Sequence, residues 1–323
     1  MQQEIRFATF NVCNLALPGV RYYDGIEPYT DEEYDLRIAW LAQQLDRLDA
    51  DVIGLQEVFS AAALRDTLAK TRHYRDAWHV CEDARQPDGK PAPGVALISR
   101  LRIDDAEYHR LLPGENEFLL PQRNEPVAGF TRPVLRARLM LTPTRALHLF
   151  VLHLKSQRPD YIDDSGGATA DAVALAMLRS LMRRGIDAWG VRRLIAETLA
   201  REAAPVMVMG DFNDSADAVT TRIAMAGAAD SGEAWLRHCS RLVGRRDPLR
   251  DTGYTHIHAG RHDSIDHVLV SQEFDPAAEN AIAEAIEVGY LNDHLSVPTP
   301  GASDHGAVLV RVRLKADAAD PGA

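Results

Sequence analysis

Cysteine is scarce in this sequence, with Cys13, Cys81 and Cys239 far apart and no Cys-x-x-Cys spacing among them. An odd, dispersed set excludes a disulfide framework and a zinc ribbon, and reads as buried structural thiols. Long apolar runs are missing too, since none approaches the ~18 residues that would span a membrane. The opening Met1-Gln2-Gln3-Glu4-Ile5-Arg6-Phe7 lacks a basic stretch followed by an apolar one, so no leader is read there and a cytoplasmic location is the expectation. Basic residues are in deficit: 36 Lys and Arg face 47 Asp and Glu, a net charge of -11. That balance works against tight, indiscriminate binding to long nucleic acid, where neutralisation of phosphates dominates affinity. It leaves room for a nuclease, because a bound cation and a few local arginines can set the field of one cleft. Pro/Gly/Ser linkers, repeats and low-complexity tracts are also absent, so one layered domain over residues 1–315 with a flexible tail at 316–323 is expected.

What is present is an α/β pattern. With 46% hydrophobic and 26% charged residues over 323 positions, the chain can bury a sizeable core, and disorder is not indicated. Strands are expected over 4–12 and 51–58. Between them, Ile38, Leu41, Leu45 and Leu48 mark a helix over 31–48, opened by Thr30 with Glu33 as a capping box. A second helix is expected over 61–70. Mostly strands follow from Tyr74 to Leu154, with Pro87-Asp88-Gly89 separating two of them and 134–141 pairing with 147–154. Helical spacing then runs from about Thr169 to Arg201, with Gly185 and Gly190 as candidate breaks. Val206-Met207-Val208-Met209 reads as a short buried strand after Pro205. The last third is expected to hold helices near 216–240 and strands near 265–270, 284–290 and 306–312.

Short polar groups sit just beyond these apolar runs. Val206 to Asp214 is the strongest, since a buried strand running into Gly210-Asp211-Phe212-Asn213 displays a carboxylate and a carboxamide at a strand end. Its structural alternative is an Asx turn closing the strand, which the other motifs disfavour. In Ser303-Asp304-His305, neighbours on a strand face opposite ways, so Asp304 is expected to face a metal, and Asp266 becomes the partner that orients His305. Glu57, at the end of 51–55, is the candidate ligand for a hard divalent cation, with Asn11 supplying a neutral oxygen.

Together Asn11, Leu55-Gln56-Glu57, His153-Leu154-Lys155-Ser156, Gly210-Asp211-Phe212-Asn213, Ile265-Asp266-His267 and Ser303-Asp304-His305 occur in the order found in the endonuclease/exonuclease/phosphatase superfamily, which this chain resembles. The resemblance implies a four-layer α/β sandwich, two mixed sheets packed face to face with helices outside. It implies Glu57 as the principal Mg²⁺ (or Mn²⁺) ligand, with Asn11 and Asp304 near the ion. His305 paired with Asp266 would act on water or phosphate, with Asp211 as the alternative general base. Asn213 would contact the phosphate, and His153 a non-bridging or leaving oxygen. The expected reaction is in-line attack of water on phosphorus.

Substrate is less determined, because members of the superfamily cleave DNA, RNA, lipids and small phosphate esters. The inositol phosphatases carry Trp-Cys-Asp-Arg where this chain has Ser264-Ile265-Asp266-His267, a departure that disfavours them. A nucleic acid or nucleotide-like phosphodiester is the expected substrate. A lipid or small-molecule ester and a non-catalytic binding protein are the alternatives, and 111–130 is a candidate recognition loop. Tyr22, Tyr23, Tyr29 and Tyr34 could stack on bases or pack their own loop. Arg132, Lys155 and Arg184 are candidate substrate contacts. Arg179, Arg183, Arg192 and Arg193 would join Arg184 in a phosphate-facing patch or lie on a solvated helix face. His256, His258 and His262 would form a second metal site or a solvent-facing turn.

Overall fold

The computed structural model describes residues 3–86, 89–115, 117–162, 169–227, 236–243, 253–297 and 299–316. Its elements in chain order are β1 (Glu4–Leu15), α1 (Asp31–Leu48), β2 (Val52–Val58), α2 (Ala61–Lys70), β3 (Trp78–Val80), β4 (Gly94–Ser99), β5 (Ile103–Leu111), β6 (Gly129–Met140), β7 (Ala146–His153) and α3 (Ala170–Arg201). There follow β8 (Val206–Asp211), α4 (Val219–Met225), β9 (Arg237–His238), α5 (Cys239–Leu242), β10 (His256–His258), β11 (Arg261–Asp263), β12 (Asp266–Val270), β13 (Ala283–Leu291) and β14 (Ala307–Leu314).

Among the described residues, two six-stranded sheets form, in the orders β13-β14-β1-β2-β4-β3 and β5-β6-β7-β8-β12-β9. Period-two alternation explains how they stack. Phe7, Val52, Val95 and Leu97 of the first sheet meet Leu149, Val151, Met207, Met209 and Val268 of the second in the central core. Their neighbours Ala8, Ile53, Ala96 and Ile98 face α1 and α2 instead, and Phe150, Val206, Val208 and Leu269 face α3. Because these strands are covered on both faces, they read as continuous apolar runs. The result is the expected four-layer sandwich.

Each sheet contains one parallel pair, β1 with β2 and β7 with β8. A parallel pair needs a long crossover, which α1 supplies in the first case and α3 in the second. In α1, Thr30 and Glu33 form the capping box, and Asp49 ends the helix in the left-handed region. Pro87 and Asp88, of the expected turn, lie outside the described residues, but β3 and β4 pair antiparallel around it.

Two expectations about helices change. The helix α3 runs unbroken through both glycines. A Cβ at Gly190 would lie 2.7 Å from the Phe130 ring and 2.6 Å from Leu112, so this glycine marks close packing and not a break. Among the described residues, the helix expected over 216–240 is α4 and the start of α5, because Ala226 leaves the helical region (ψ 138) and Leu236 is hydrogen-bonded to Met225. Residues 228–235 and 317–323 lie outside the described residues.

His148 on β7 is buried, with its Nε2 3.2 Å from the Glu202 carbonyl oxygen. Burial, reinforced by Arg136 and Arg138, lowers its pKa against the pull of Glu202. The unfolded chain therefore takes up a proton near pH ~6.5 that the folded protein refuses. Stability owed to His148 is full above that pH and is lost as pH falls below it. The stability margin of wild type over His148→Gln, measured by urea denaturation, is expected to shrink from about pH 8 to about pH 5; a margin that stays constant or grows would refute this.

Candidate active site

The carboxyl ends of the two parallel pairs come to the same edge of the sandwich, the usual place for ligand groups in α/β sheets. Asn11 and Glu57 arrive from β1 and β2, His153 and Asp211 from β7 and β8. The antiparallel strand β12 sets Asp266 opposite Asp211 in register, and His305 precedes β14, the neighbour of β1. Local irregularity turns these side chains inward. The ladders shift register between Asn11 and Leu15 and between Gln56 and Val58, and Cys13 (φ 50), Asn14 (φ 59), Glu57 (φ 61) and Asn213 (φ 53) all occupy the left-handed region. Such conformations are strained for residues other than glycine and cluster at functional sites. Gly210 is a true glycine position, because a Cβ there would come within 2.0 Å of the Leu152 carbonyl oxygen.

A hydrogen-bond network joins these residues. His305 Nδ1 lies 2.8 Å from Asp266 Oδ2, and its Nε2 lies 3.8 Å from Asp211 Oδ2. The Asn11 side-chain amide donates to Asp211 at 3.0 Å and to Glu57 at 3.3 Å, and sits 3.5 Å from His305 Nε2. Its carbonyl oxygen is taken by the Cys13 N–H at 2.9 Å. Asn11 therefore presents its nitrogen to the acids, whereas the sequence reading had it presenting an oxygen to a metal. His153 Nε2 is 3.3 Å from Asp211 Oδ2, with Nδ1 left without a partner. The Asn213 N–H caps Asp211 Oδ1 at 2.8 Å, while its side chain donates to the Leu154 carbonyl at 3.1 Å.

These groups are buried, so their charges govern one another. Burial disfavours a charged His305, but Asp266, then Asp211 and Asp304, hold its pKa well above the ordinary value and favour the imidazolium. Burial and the Asp266 charge raise the Asp211 carboxyl, partly countered by His305, the Asn213 N–H and the Asn11 amide. His153 is held neutral by burial and by the nearby Arg132 and His305 charges. Two histidines of one site are thus pushed in opposite directions.

The acid side of the site fits a hard cation. Glu57 accepts from Asn11 and from the Asn14 N–H at 3.1 Å, and neither Glu57 nor Asp304 has a Lys or Arg partner among the described residues. The Cys13 thiol pKa is raised by burial and then by the Asp304 and Glu57 charges. Unpaired carboxylate oxygens on one side and imidazoles on the other are the donors a divalent ion takes. Asp211, Asp266 and His305 form one group, and His256, Asp304 and His305 another, whose ligand atoms all lie within 4.8 Å of each other.

The remaining candidates divide. Arg132 reaches the site, donating to the Leu154 carbonyl at 2.8 Å beside Asn213. The Lys155 ammonium turns to the carbonyls of Ser156 and Arg158, and Arg184 is buried against Asp214 at 3.1 Å. Arg183 pairs with Asp187 and Arg193 with Glu197, Arg179 donates to the Asp160 carbonyl and to Gln122, and Arg192 donates to the Ala226 carbonyl, so among the described residues these arginines are engaged by other partners. On the β10–β11 hairpin, His256 lies 5.0 Å from the His305 ring and stacks on the exposed His258 at 6.0 Å, whereas His262 packs on Tyr254. Tyr22 packs with Phe59, and Tyr34 donates to Asp66. Leu120 and Val127 of the 111–130 segment pack on Ile186 of α3.

Two supporting residues carry no strong signal in the sequence. The Thr255 hydroxyl accepts from the Ile265 and Asp266 N–H groups at 3.1 and 3.2 Å, fixing the head of β12. Ser303 donates to the Asn11 carbonyl at 2.7 Å and accepts from the His305 N–H at 3.0 Å. Only its place beside Asp304-His305 marks Ser303 in advance.

Two face-to-face mixed sheets that gather acids, amides and histidines at one edge define the four-layer class of phosphate-ester hydrolases. The chain belongs to the endonuclease/exonuclease/phosphatase family, whose sequence pattern it matches over residues 8–305. Members of that family are hydrolases acting on phosphate esters and generally use a divalent metal. Solved structures agree on the fold. An endonuclease/exonuclease/phosphatase family protein from Bacteroides thetaiotaomicron superposes with TM-score 0.60 at 17% identity, covering 98% of this chain and 96% of that one. The mannosyl-6-phosphatase of the same organism gives 0.57 at 18% identity, covering 95% and 99%. The human Nocturnin catalytic domain with bound sulfate gives 0.58 at 17%, covering 98% and 96%. No curated protein matches the sequence significantly. Among the described residues no helix is long and apolar enough to cross a membrane.

Replacing Ser303 with Ala strands a buried N–H and a buried carbonyl. Ser303→Ala is expected to lower unfolding free energy by about 1–3 kcal/mol, read as a lower urea midpoint; an unchanged midpoint would show that these bonds contribute nothing.

Proposed function

We propose that the protein is a divalent-metal-dependent phosphoesterase that hydrolyses a phosphodiester of nucleic acid or nucleotide type, with residues 1–315 as its catalytic domain. The observation that carries this reading is the buried Asp266–His305 pair, whose Nε2 side opens onto Asp211, Asn11 and Glu57 at the junction of the sheets.

Glu57 and Asp304 would hold the cation, with the Asn11 amide keeping Glu57 in place. When bound, a divalent cation supplies Lewis-acid stabilisation of phosphoryl oxygens. Asp266 fixes the His305 ring and supports its charge, so the Nε2–H is aimed where negative charge grows on a phosphoryl oxygen. Asp211 lies between His305 and His153, and its raised pKa makes it a general base able to take the proton of the attacking water. Asn213 and Arg132, both anchored on Leu154, orient the phosphate. Neutral His153 helps to hold Asp211 in position and to exclude bulk water from that wall.

Cleavage of end-labelled single-stranded DNA and RNA in Mg²⁺ tests this. Turnover should vanish in EDTA and fall by about 100-fold or more in His305→Ala, while the circular dichroism spectrum of that variant stays native. Glu57→Gln should shift the Mg²⁺ dependence to higher concentration. Wild-type turnover by His305→Ala would remove the assignment, and intact oligonucleotides would remove the nuclease substrate.

A further inference from the structure

The strand β1 is uncoupled from its neighbours just where it delivers Asn11. Its ladder with β14 is last in register at Thr9, and its ladder with β2 is interrupted between Asn11 and Leu15. Carbonyls within such an interruption lose their register partners, and buried backbone oxygens must find others. Arg37 of α1 supplies them. Its Nη2 donates to the Val12 and Cys13 carbonyls. Its Nη1 donates to the Gly301 and Ala302 carbonyls at 3.0 and 3.2 Å, in the loop that leads into Ser303-Asp304-His305.

Arg37 is only 4% exposed, and among the described residues no carboxylate lies at ion-pair distance from it. Its Cζ lies 5.8 Å from the Tyr29 ring centroid, and its buried Nε has no partner. A guanidinium withdrawn from water without a counter-ion is costly, and an apolar side chain would fill the same space at less cost. What the rigid fork of donors adds is the ability to hold two pairs of carbonyls at a fixed separation.

Both carbonyl pairs belong to segments that carry candidate ligands. On the β1 side, the Cys13 N–H holds the Asn11 carboxamide oxygen at 2.9 Å and the Asn14 N–H holds the Glu57 carboxylate at 3.1 Å. On the other side, Asp304 follows the clamped Ala302 by two residues, and Ser303 between them ties back to the Asn11 carbonyl at 2.7 Å. Gly301 has φ +74, and a Cβ there would lie 3.0 Å from the Arg37 Cα, so the loop lies directly against α1. We infer that Arg37 is the positioning residue of the cation site: its fork clamps the β1 bulge to the loop before Asp304, and so sets the separation of Glu57 and Asp304 and the affinity for a divalent cation. This rests on the cation reading above and adds the residue that preorganises it. Arg37 is a ligand of neither ion nor substrate; it acts through backbone carbonyls.

Calorimetric titration with Mn²⁺ tests this without substrate, with the circular dichroism spectrum and urea midpoint recorded for every variant. Arg37→Gln and Arg37→Lys should each weaken Mn²⁺ binding about 10–100-fold, since neither side chain spans both carbonyl pairs. Gly301→Ala keeps the arginine but displaces the loop; it should also weaken binding, and it serves where an Arg37 variant fails to fold. A role through charge alone predicts the opposite sign, because removing a positive charge near a cation relieves repulsion. Tighter or unchanged binding by Arg37→Gln, or wild-type binding by Arg37→Lys, therefore overturns the clamp. Tyr74→Phe removes a bond to the Ala50 carbonyl at 2.8 Å, before the opposite end of β2, and should lower the urea midpoint while leaving Mn²⁺ affinity unchanged. An equal loss of affinity there would show that binding merely follows stability, which also overturns the clamp. Glu57→Gln locates the ion. A wild type that binds no Mn²⁺, or binding as tight in Glu57→Gln, sinks the cation reading, whereas Glu57-dependent binding indifferent to Arg37 and Gly301 sinks the clamp alone.

Discussion

The hydrogen bond from the Asn11 amide to Asp211 is the interaction on which the site depends, because it joins the two sheets at the edge where their strand ends meet. Sheet-on-sheet packing through Phe7, Val151 and Met209 brings the layers together, but apolar contact is non-directional and cannot place oxygen atoms. Asn11 can, since the Cys13 N–H holds its carbonyl oxygen and leaves both amide protons for Asp211 and Glu57. One side chain therefore fixes the distance between the carboxylate of β2 and that of β8. Glu57, Asp211 and His305 are all measured from it.

The same cluster would repel itself if nothing answered its charge. Asp211 and Asp266 lie opposite each other in adjoining strands with almost no exposure to water, where like charges interact strongly. The raised pKa values of His305 and Asp211 are two responses to that crowding, and a bound cation beside Glu57 and Asp304 would be a third. The result is a graded site, acidic toward β1 and β2 and basic toward Arg132.

Much of this was legible in the residues because it is written in local chemistry. A capping box needs only Thr30 and Glu33, and a buried strand ending in Gly210-Asp211-Phe212-Asn213 announces both its position and its polar tip. The Asp266–His305 partnership followed from the alternation of strand faces. Features decided by distant parts of the chain were not legible. Lys155 and Arg184 looked available because Ser180 and Asp214, which engage them, lie 25 and 30 residues away. Gly190 looked like a break because Phe130 and Leu112, which require a small residue there, lie far away in sequence. The amide orientation of Asn11 depends on left-handed backbone at Cys13 and Asn14, which no residue type at those positions predicts.

The pairing of β1 with β14 carries a further consequence. The first strand contributes Asn11, and the last is entered through His305, with register partners as far apart as Glu4 and Arg313. Synthesis therefore delivers the residues of β1, β2, β7 and β8 before the imidazole that joins their cluster, and β1 has no β14 neighbour until then. A chain cut short of residue 305 lacks both that ring and the strand that it leads into.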